Sequence, residues 1–247
     1  CGVNLAQIWR YPIKSHGSEN LNSIDIQSGK TLPLDRNWAV VHDQSDADGS
    51  SWVPCRNFSR VAKAPQLAAI STTWTSDKKL ELSHPSIGKI CIDPDLESSK
   101  FINWVSPLMP GNRAASVKLI RSVQTGMTDT DFPSISIGNL ASHREIEKKV
   151  GEKLSLLRWR CNLWIDGCKP WDEHKWIGKN LKIGEVTFKI EEEIVRCLAT
   201  TANPMSGERD VDTLGTLESM GQEDFTVAAI ATSSGKIKFG DTVEVIS

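Results

Sequence analysis

Cys197 stands in the run Arg196-Cys197-Leu198-Ala199-Thr200-Thr201-Ala202-Asn203-Pro204-Met205-Ser206-Gly207-Glu208-Arg209-Asp210, between a guanidinium and a tight polar turn. A thiolate is a soft metal ligand and a strong nucleophile, and a neighbouring cation favours that charged form. No second cysteine lies close enough in sequence to make a disulfide clip, a zinc knuckle or a dithiol redox motif with it. The residues leave three uses open: a lone ligand, a lone nucleophile or a packed thiol. Three basic islands accompany it: Arg10-Tyr11-Pro12-Ile13-Lys14-Ser15, Asp35-Arg36-Asn37-Trp38 and Arg158-Trp159-Arg160-Cys161-Asn162. Arginine offers a rigid fork of donors and lysine a point charge, both suited to phosphate. Each island alone reads as surface salt bridging. Together with Cys197 they describe an anionic ligand with one thiolate at its reactive end.

Several function classes drop out. A formal net charge of -2 over 247 residues leaves no electrostatic footprint for nucleic acid or anionic membrane. No apolar run approaches the ~20 residues a bilayer needs, so no membrane insertion is expected. Cys1-Gly2-Val3-Asn4-Leu5 is unlike a signal peptide, and the chain is expected to enter the fold at once. The six cysteines are scattered, which argues against an iron–sulfur cluster, a zinc site or a disulfide framework and for a reducing, cytoplasmic compartment. Ser28-Gly29-Lys30-Thr31 imitates a phosphate-binding loop but has Ile24 where the motif needs glycine. The five histidines share no metal-ligand spacing and read as structural or surface groups. Glu191-Glu192-Glu193 reads as a solvated acidic patch that could face a redox partner. Nine tryptophans against one tyrosine is unusual, and Trp159, Trp164, Trp171 and Trp176 are read as core or as the wall of an aromatic pocket.

The elements that must position these groups are mostly short strands. Residues 3–9, 21–26, 38–42, 67–74, 80–83 and 89–93 are β-rich and punctuated by Gly, Pro, Asp or Ser, as in a small barrel or sandwich. Residues 101–109 predict a short helix stopped by Pro110-Gly111, and this point divides the chain into expected domains 1–112 and 113–247. In the second half, residues 134–137, 162–165, 185–190, 226–231 and 242–246 read as strands. A helix is expected over 140–150, with a capping box at Ser142 and Glu145 and a stop at Gly151, and another over 211–220. The fold class is mainly β (α+β), with a few helices.

In order along the chain, these motifs resemble the MOSC superfamily, domains related to the C-terminus of molybdenum cofactor sulfurase. Within it the likeness is to proteins with an N-terminal MOSC β-barrel before the MOSC domain, the group that includes amidoxime-reducing components. Tyr11-Pro12-Ile13-Lys14-Ser15, Asp35-Arg36-x-Trp38, Thr128-Asp129-Thr130-Asp131 before Phe132-Pro133-Ser134-Ile135-Ser136-Ile137, Arg160-x-Asn162, Arg196-Cys197 through Gly207, and Lys238-Phe239-Gly240-Asp241-Thr242-Val243 carry it. Three residues depart from the pattern: Val195 for a serine, Cys161 for a proline, and Thr226 for the glycine of D-F-G.

The resemblance implies a molybdenum cofactor (Mo-molybdopterin), with Cys197 as the thiolate ligand to the metal. It implies that Lys14, Ser15, Arg36 and Arg160 bind the cofactor's phosphate or pterin, that Asn162 and Arg196 hydrogen-bond the pterin, and that Asp129 and Thr130 stand nearby. The implied activity is reduction of N-hydroxylated compounds such as hydroxylamines, amidoximes or N-hydroxylated bases, with reduced Mo(IV) taking the substrate oxygen. Asp129 or Asp131 is the candidate acid for the departing oxygen. The chain ends at Ser247 without the iron–sulfur domain of some relatives, so a separate electron donor is expected: cytochrome b5-, ferredoxin- or flavin-reductase-like. The alternative is a cofactor carrier or a sulfur-transfer module with a persulfide on Cys197.

Overall fold

Residues 2–246 are described in a computed structural model, and short strands dominate its regular structure. The first half contains β1 (Asn4–Arg10), β2 (Glu19–Leu21), β3 (Ser23–Ile26), β4 (Trp38–His42), β5 (Ser71–Trp74), β6 (Leu80–His84), β7 (Gly88–Ile92) and helix α1 (Ser98–Val105). The second contains β8 (Ser116–Arg121), β9 (Ile135–Asn139), helix α2 (Leu140–Val150), β10 (Leu163–Asp166), β11 (Asn180–Ile183), β12 (Val186–Val195), helix α3 (Thr213–Ser219), β13 (Asp224–Ala231), β14 (Gly235–Lys238) and β15 (Val243–Ile246). The mainly β expectation is met. Among the described residues no helix is long and apolar enough to cross a membrane.

Period-two burial sets the inward faces: Ile24 and Ile26 of β3, and Val186, Phe188 and Ile190 of β12. In β1 the spacing stretches from Leu5 to Ile8 because a bulge shifts the register between Leu5 and Gln7. Eight strands form one sheet in the order β15-β11-β12-β13-β9-β10-β1-β2. Its parallel pair, β9 with β10, is joined through α2, since a parallel crossover needs such a connection. Backbone bonds from Leu5 N to Asp241 O (2.9 Å), Gly240 N to Leu5 O (2.8 Å) and Val243 N to Val3 O (2.9 Å) curl the sheet toward a barrel.

A second core forms around the meander β5-β6-β7, helix α1 and the pair β4–β8, with Phe101, Val105, Leu67, Leu80 and Leu82 fully buried. Pairings cross the division at residue 112 in both directions. β1 pairs with β10 and β3 with β14 of the second half, while β8 pairs with β4 of the first.

Local differences from expectation have local causes. Residues 21–26 split at Asn22 into β2 and β3, which enter different sheets. Residues 67–74 begin as a 3-10 turn, Pro65–Ala69, because Pro65 has no backbone N–H for a ladder and fits a helical first turn. β8 lacks alternation, and β11 and β14 are only four residues long, too short for their patterns to mark a strand. Helix α2 is capped by Asn139, whose side chain accepts from Ala141 N at 2.9 Å, and not by Ser142. Ser142 is buried and donates instead to Glu173 at 2.8 Å. Gly151 ends the helix in the left-handed region, φ 91, as expected.

His16 sits where the two halves meet. It is fully buried, with Nδ1 2.6 Å from Lys14 O and its ring edge-on to Phe101. Burial, opposed by the Lys14 carbonyl and reinforced by the Arg160 charge, pushes its pKa down to about 4. A depressed imidazole pKa means the unfolded chain gains the proton first. The contribution of His16 is therefore complete above pH 6.5 and declines as pH falls toward 4, by on the order of 3 kcal/mol. Urea unfolding of the wild type and His16→Gln across this window should show a steeper acid loss in the wild type. Parallel slopes would contradict the assignment.

Candidate functional site

β12 outruns its core: after Ile190 the residues are half or fully exposed, and the strand carries the chain to Arg196 and Cys197. Arg196 is held three ways. Its Nε donates to Phe225 O at 2.6 Å, one terminal nitrogen to Trp159 O at 2.9 Å, and the other to Thr226 Oγ1. Thr226 has a left-handed backbone, φ 70, and its hydroxyl is one of the three partners of Arg196. Cys197 is exposed and lines the cleft, and its carbonyl accepts from Thr200 N (3.1 Å) and Oγ1 (3.0 Å) as the chain enters the short turn Leu198–Thr201. Arg158 anchors the far end of this segment through one terminal nitrogen that meets both Asp210 carboxylate oxygens, at 2.7 and 2.8 Å.

Tyr11 and Asp35 organise the basic wall. Tyr11 is buried, donates its hydroxyl to Cys161 O at 3.0 Å, and has the Arg36 and Arg160 guanidinium groups over its ring at 4.7 and 4.5 Å. Asp35 is fully buried. Its Oδ1 accepts from Tyr11 N (2.8 Å) and Asn162 Nδ2 (3.1 Å), and its Oδ2 from Arg36 (2.7 Å). Arg36 also donates to Arg160 O at 2.6 Å, and Arg160 to Gly17 O at 3.1 Å. Asn162 spends its amide on the protein, accepting from Ser136 N (3.1 Å) and Oγ (3.0 Å) and donating to Trp9 O (3.1 Å) and Asp35. It positions the wall more than it faces a ligand.

The third wall is the loop through residues 126–130. Gly126 lies so close to Asp35 that a Cβ there would stand 2.2 Å from Asp35 O, which makes glycine a requirement of the approach. Lys14 Nζ donates to Met127 O (2.8 Å) and pairs with Asp129 (2.6 Å). The Lys14 charge holds the Asp129 carboxyl down to about 2, so Asp129 is ionised at neutral pH, accepting hydrogen bonds with no proton to give. This removes it as the acid expected from sequence. Thr130 Oγ1 lies 2.7 Å from Ser134 Oγ and 2.9 Å from Phe132 O, shaping the loop. Asp131 is exposed and outside the cleft walls, so that candidate acid is not brought to the site.

Lys14, Ser15, Arg36, Asp129, Thr130, Arg160, Asn162, Arg196 and Cys197 thus line one open cleft of about 840 Å³, solvent at its mouth included. That is room for a cofactor-sized ligand. Sequence reading missed Tyr11, Asp35 and Ser136, which stand inside quoted motifs, and Cys55 and Arg60, which no motif marks. Trp159 serves both expected uses, buried against Phe225 at 4.6 Å between ring centres and lining the cleft. Cys161 packs in the core, where burial pushes its thiol up to about 11.

The electrostatics call for an anion. Lys14, Arg36, Arg160 and Arg196 line the cleft beside two carboxylates, Asp35 and Asp129. Burial works against the Arg36 charge, but the Asp35 pair overcomes it and leaves its pKa above the usual value. Arg160 and Arg196 lack that help: burial pushes both down to about 10, and the Arg36 charge adds to the effect on Arg160. Seven non-glycine residues among those described have positive φ, and four of them, Ser15, Arg36, Arg160 and Thr226, belong to this site. Such backbones cost about 1–3 kcal/mol each and persist where the surroundings enforce them. Replacing Asp35 by Asn keeps the shape but leaves Arg36 buried without its counter-charge. Urea unfolding of Asp35→Asn should show a loss on the order of 3 kcal/mol. A change within experimental error would show that the pair is dispensable.

Known proteins place this arrangement. The profile of the MOSC N-terminal beta barrel domain matches residues 2–106, and that of the MOSC domain matches residues 129–244. Mitochondrial amidoxime-reducing component 1 of Mus musculus is 22% identical over 233 residues, spanning 83% of this chain and 67% of that protein. Molybdenum cofactor sulfurase of Drosophila willistoni is 27% identical over 174 residues, 68% of this chain but 20% of that protein. In structure, the YuaD protein of Bacillus subtilis aligns over 98% of this chain and 95% of its own, with 14% identity and a TM-score of 0.50, a likeness of fold. The chain belongs to the MOSC superfamily, joining an N-terminal MOSC barrel to a MOSC domain.

Proposed function

We propose that the protein is a molybdenum-cofactor-dependent reductase of N-oxygenated compounds. The observation that carries this reading is an exposed thiol, Cys197, in a cleft whose buried guanidinium groups outnumber its carboxylates. The donor set fits the cofactor. Soft thiolate suits a thiophilic redox metal, and hard cationic donors suit phosphate and pterin oxygens. Lys14, Ser15, Arg36 and Arg160 would hold the anionic part, Arg196 the pterin system, and Cys197 the metal. When bound, molybdenum supplies a two-electron couple and Lewis acidity.

The chain's own residues bind and orient. Arg196, fixed by Trp159, Phe225 and Thr226, keeps a positive charge beside Cys197. Asp129, ionised against Lys14, holds that ammonium along the cleft wall. Cleaving an N–O bond consumes two electrons and two protons and releases water. With Asp129 unable to donate and Asp131 outside the cleft, solvent at the open mouth is the proton source. The electrons come from a separate donor of the cytochrome b5, ferredoxin or flavin-reductase type.

The exposure of Cys197 and the likeness to a molybdenum cofactor sulfurase favour one second reading, sulfur carriage on Cys197. Cyanide-releasable sulfur on the purified protein, without reductase activity, would support it. The reductase reading predicts that cofactor-loaded Cys197→Ser loses benzamidoxime reduction by more than about a hundredfold, beyond the cost of removing a supporting group. Full activity in that variant sinks the reading.

A further inference from the structure

The cleft has a wall that neither the family motifs nor the proposed cofactor contacts use. It is built from residues 55–62 of the first half, and Cys55, Arg60, Val61 and Ala62 line it. The segment is rigidly seated. Phe58 is buried and bridges Val41, Ser59 N donates to Val40 O at 2.8 Å, and Ser59 Oγ meets Ser116 Oγ at 2.7 Å. Past Arg60, its own carbonyl accepts from Lys63 N and Ala64 N, both at 3.0 Å.

Arg209 fixes where this wall stands. One terminal nitrogen donates to Leu198 O (2.6 Å) and Thr201 Oγ1 (2.7 Å), and the other to Ala62 O (2.9 Å). The clamp ties the segment two residues beyond Arg60 to the residue that follows Cys197. Arg60, two residues before the clamped Ala62, lines the same cleft as Cys197, whose neighbour Leu198 is the clamp's other end.

The Arg60 guanidinium is under-used. Among the described residues it forms no ion pair, and its side-chain hydrogen bond goes to Cys55 Sγ at 3.0 Å. A thiol is a weak acceptor, and a guanidinium carries five donors. A carboxylate entering the cleft would replace a poor partner with a bidentate one. We propose that Arg60 is a specificity-determining residue that selects substrates bearing a carboxylate or similar oxyanion in the cleft it lines with Cys197. The word substrate rests on the reductase reading; the selection of an oxyanion does not.

The test uses the cofactor-loaded protein and two probes of one shape, benzoate and benzamide, titrated calorimetrically. The wild type should bind benzoate about tenfold more tightly, the scale of a charge-assisted bond. Arg60→Gln should lose that preference with benzamide affinity unchanged, and Arg60→Lys should keep part of it. Molybdenum and pterin content should be equal in all three. In the kinetic arm, Arg60→Gln should raise KM for 4-carboxybenzamidoxime about tenfold and leave benzamidoxime unchanged.

Equal affinities in the wild type, or an unchanged preference in Arg60→Gln, overturn the proposal. Pterin loss in Arg60→Gln also overturns it, by assigning the cation to the cofactor. An Arg60-dependent benzoate preference in a protein that reduces neither amidoxime upholds the oxyanion site and rejects the reductase reading. Reduction of both amidoximes with no such preference does the reverse.

Discussion

Several positive charges must be held in one cleft against their mutual repulsion and against the cost of taking them out of water, and the buried Asp35 carboxylate makes this possible. It neutralises Arg36, accepts from the Tyr11 backbone and fixes Asn162, so one side chain joins three of the basic islands. Arg36 then holds the carbonyl of Arg160, and both guanidinium groups rest on the Tyr11 ring. A buried ion pair by itself is weak evidence for stability, because desolvation offsets the Coulomb gain. Its importance here is geometric: it offsets the Arg36 charge beside Arg160, which stays short of a counter-ion of its own, a condition for gripping an anion.

The same constraint explains why the two halves interlock. The basic wall comes from the ends of β1 and β10, the thiol from the end of β12, and the opposite wall from residues 55–62 and 126–130. Strands cross between the halves, and Arg209 clamps one half's backbone to the other beside Cys197. The cleft is therefore a product of the joint between the halves.

Much of this was legible in the residues, for physical reasons that also mark where reading stopped. β4 and α2 were readable because their apolar spacing and the Gly151 stop are local signals. The cap of α2 was misassigned because Ser142 answers to Glu173, a partner far along the chain. β8 was invisible because Val117 and Lys118 both face outward and break the alternation. Lys14, Arg36, Arg160, Arg196 and Cys197 stood out as charges and a thiol in motifs. Asp35 and Tyr11, in the same motifs, owe their roles to burial, which only the fold reveals. Arg60 carried no motif, and the clamp on its segment joins residues 147 positions apart.

Molybdenum and pterin analysis of the purified protein, made in cells with ample cofactor supply, tests the central claim most directly. The account predicts close to one molybdenum and one pterin per chain, both sharply reduced when Arg36 and Arg160 are replaced together by Gln in a protein that still folds. A folded wild type that holds neither molybdenum nor pterin would contradict it.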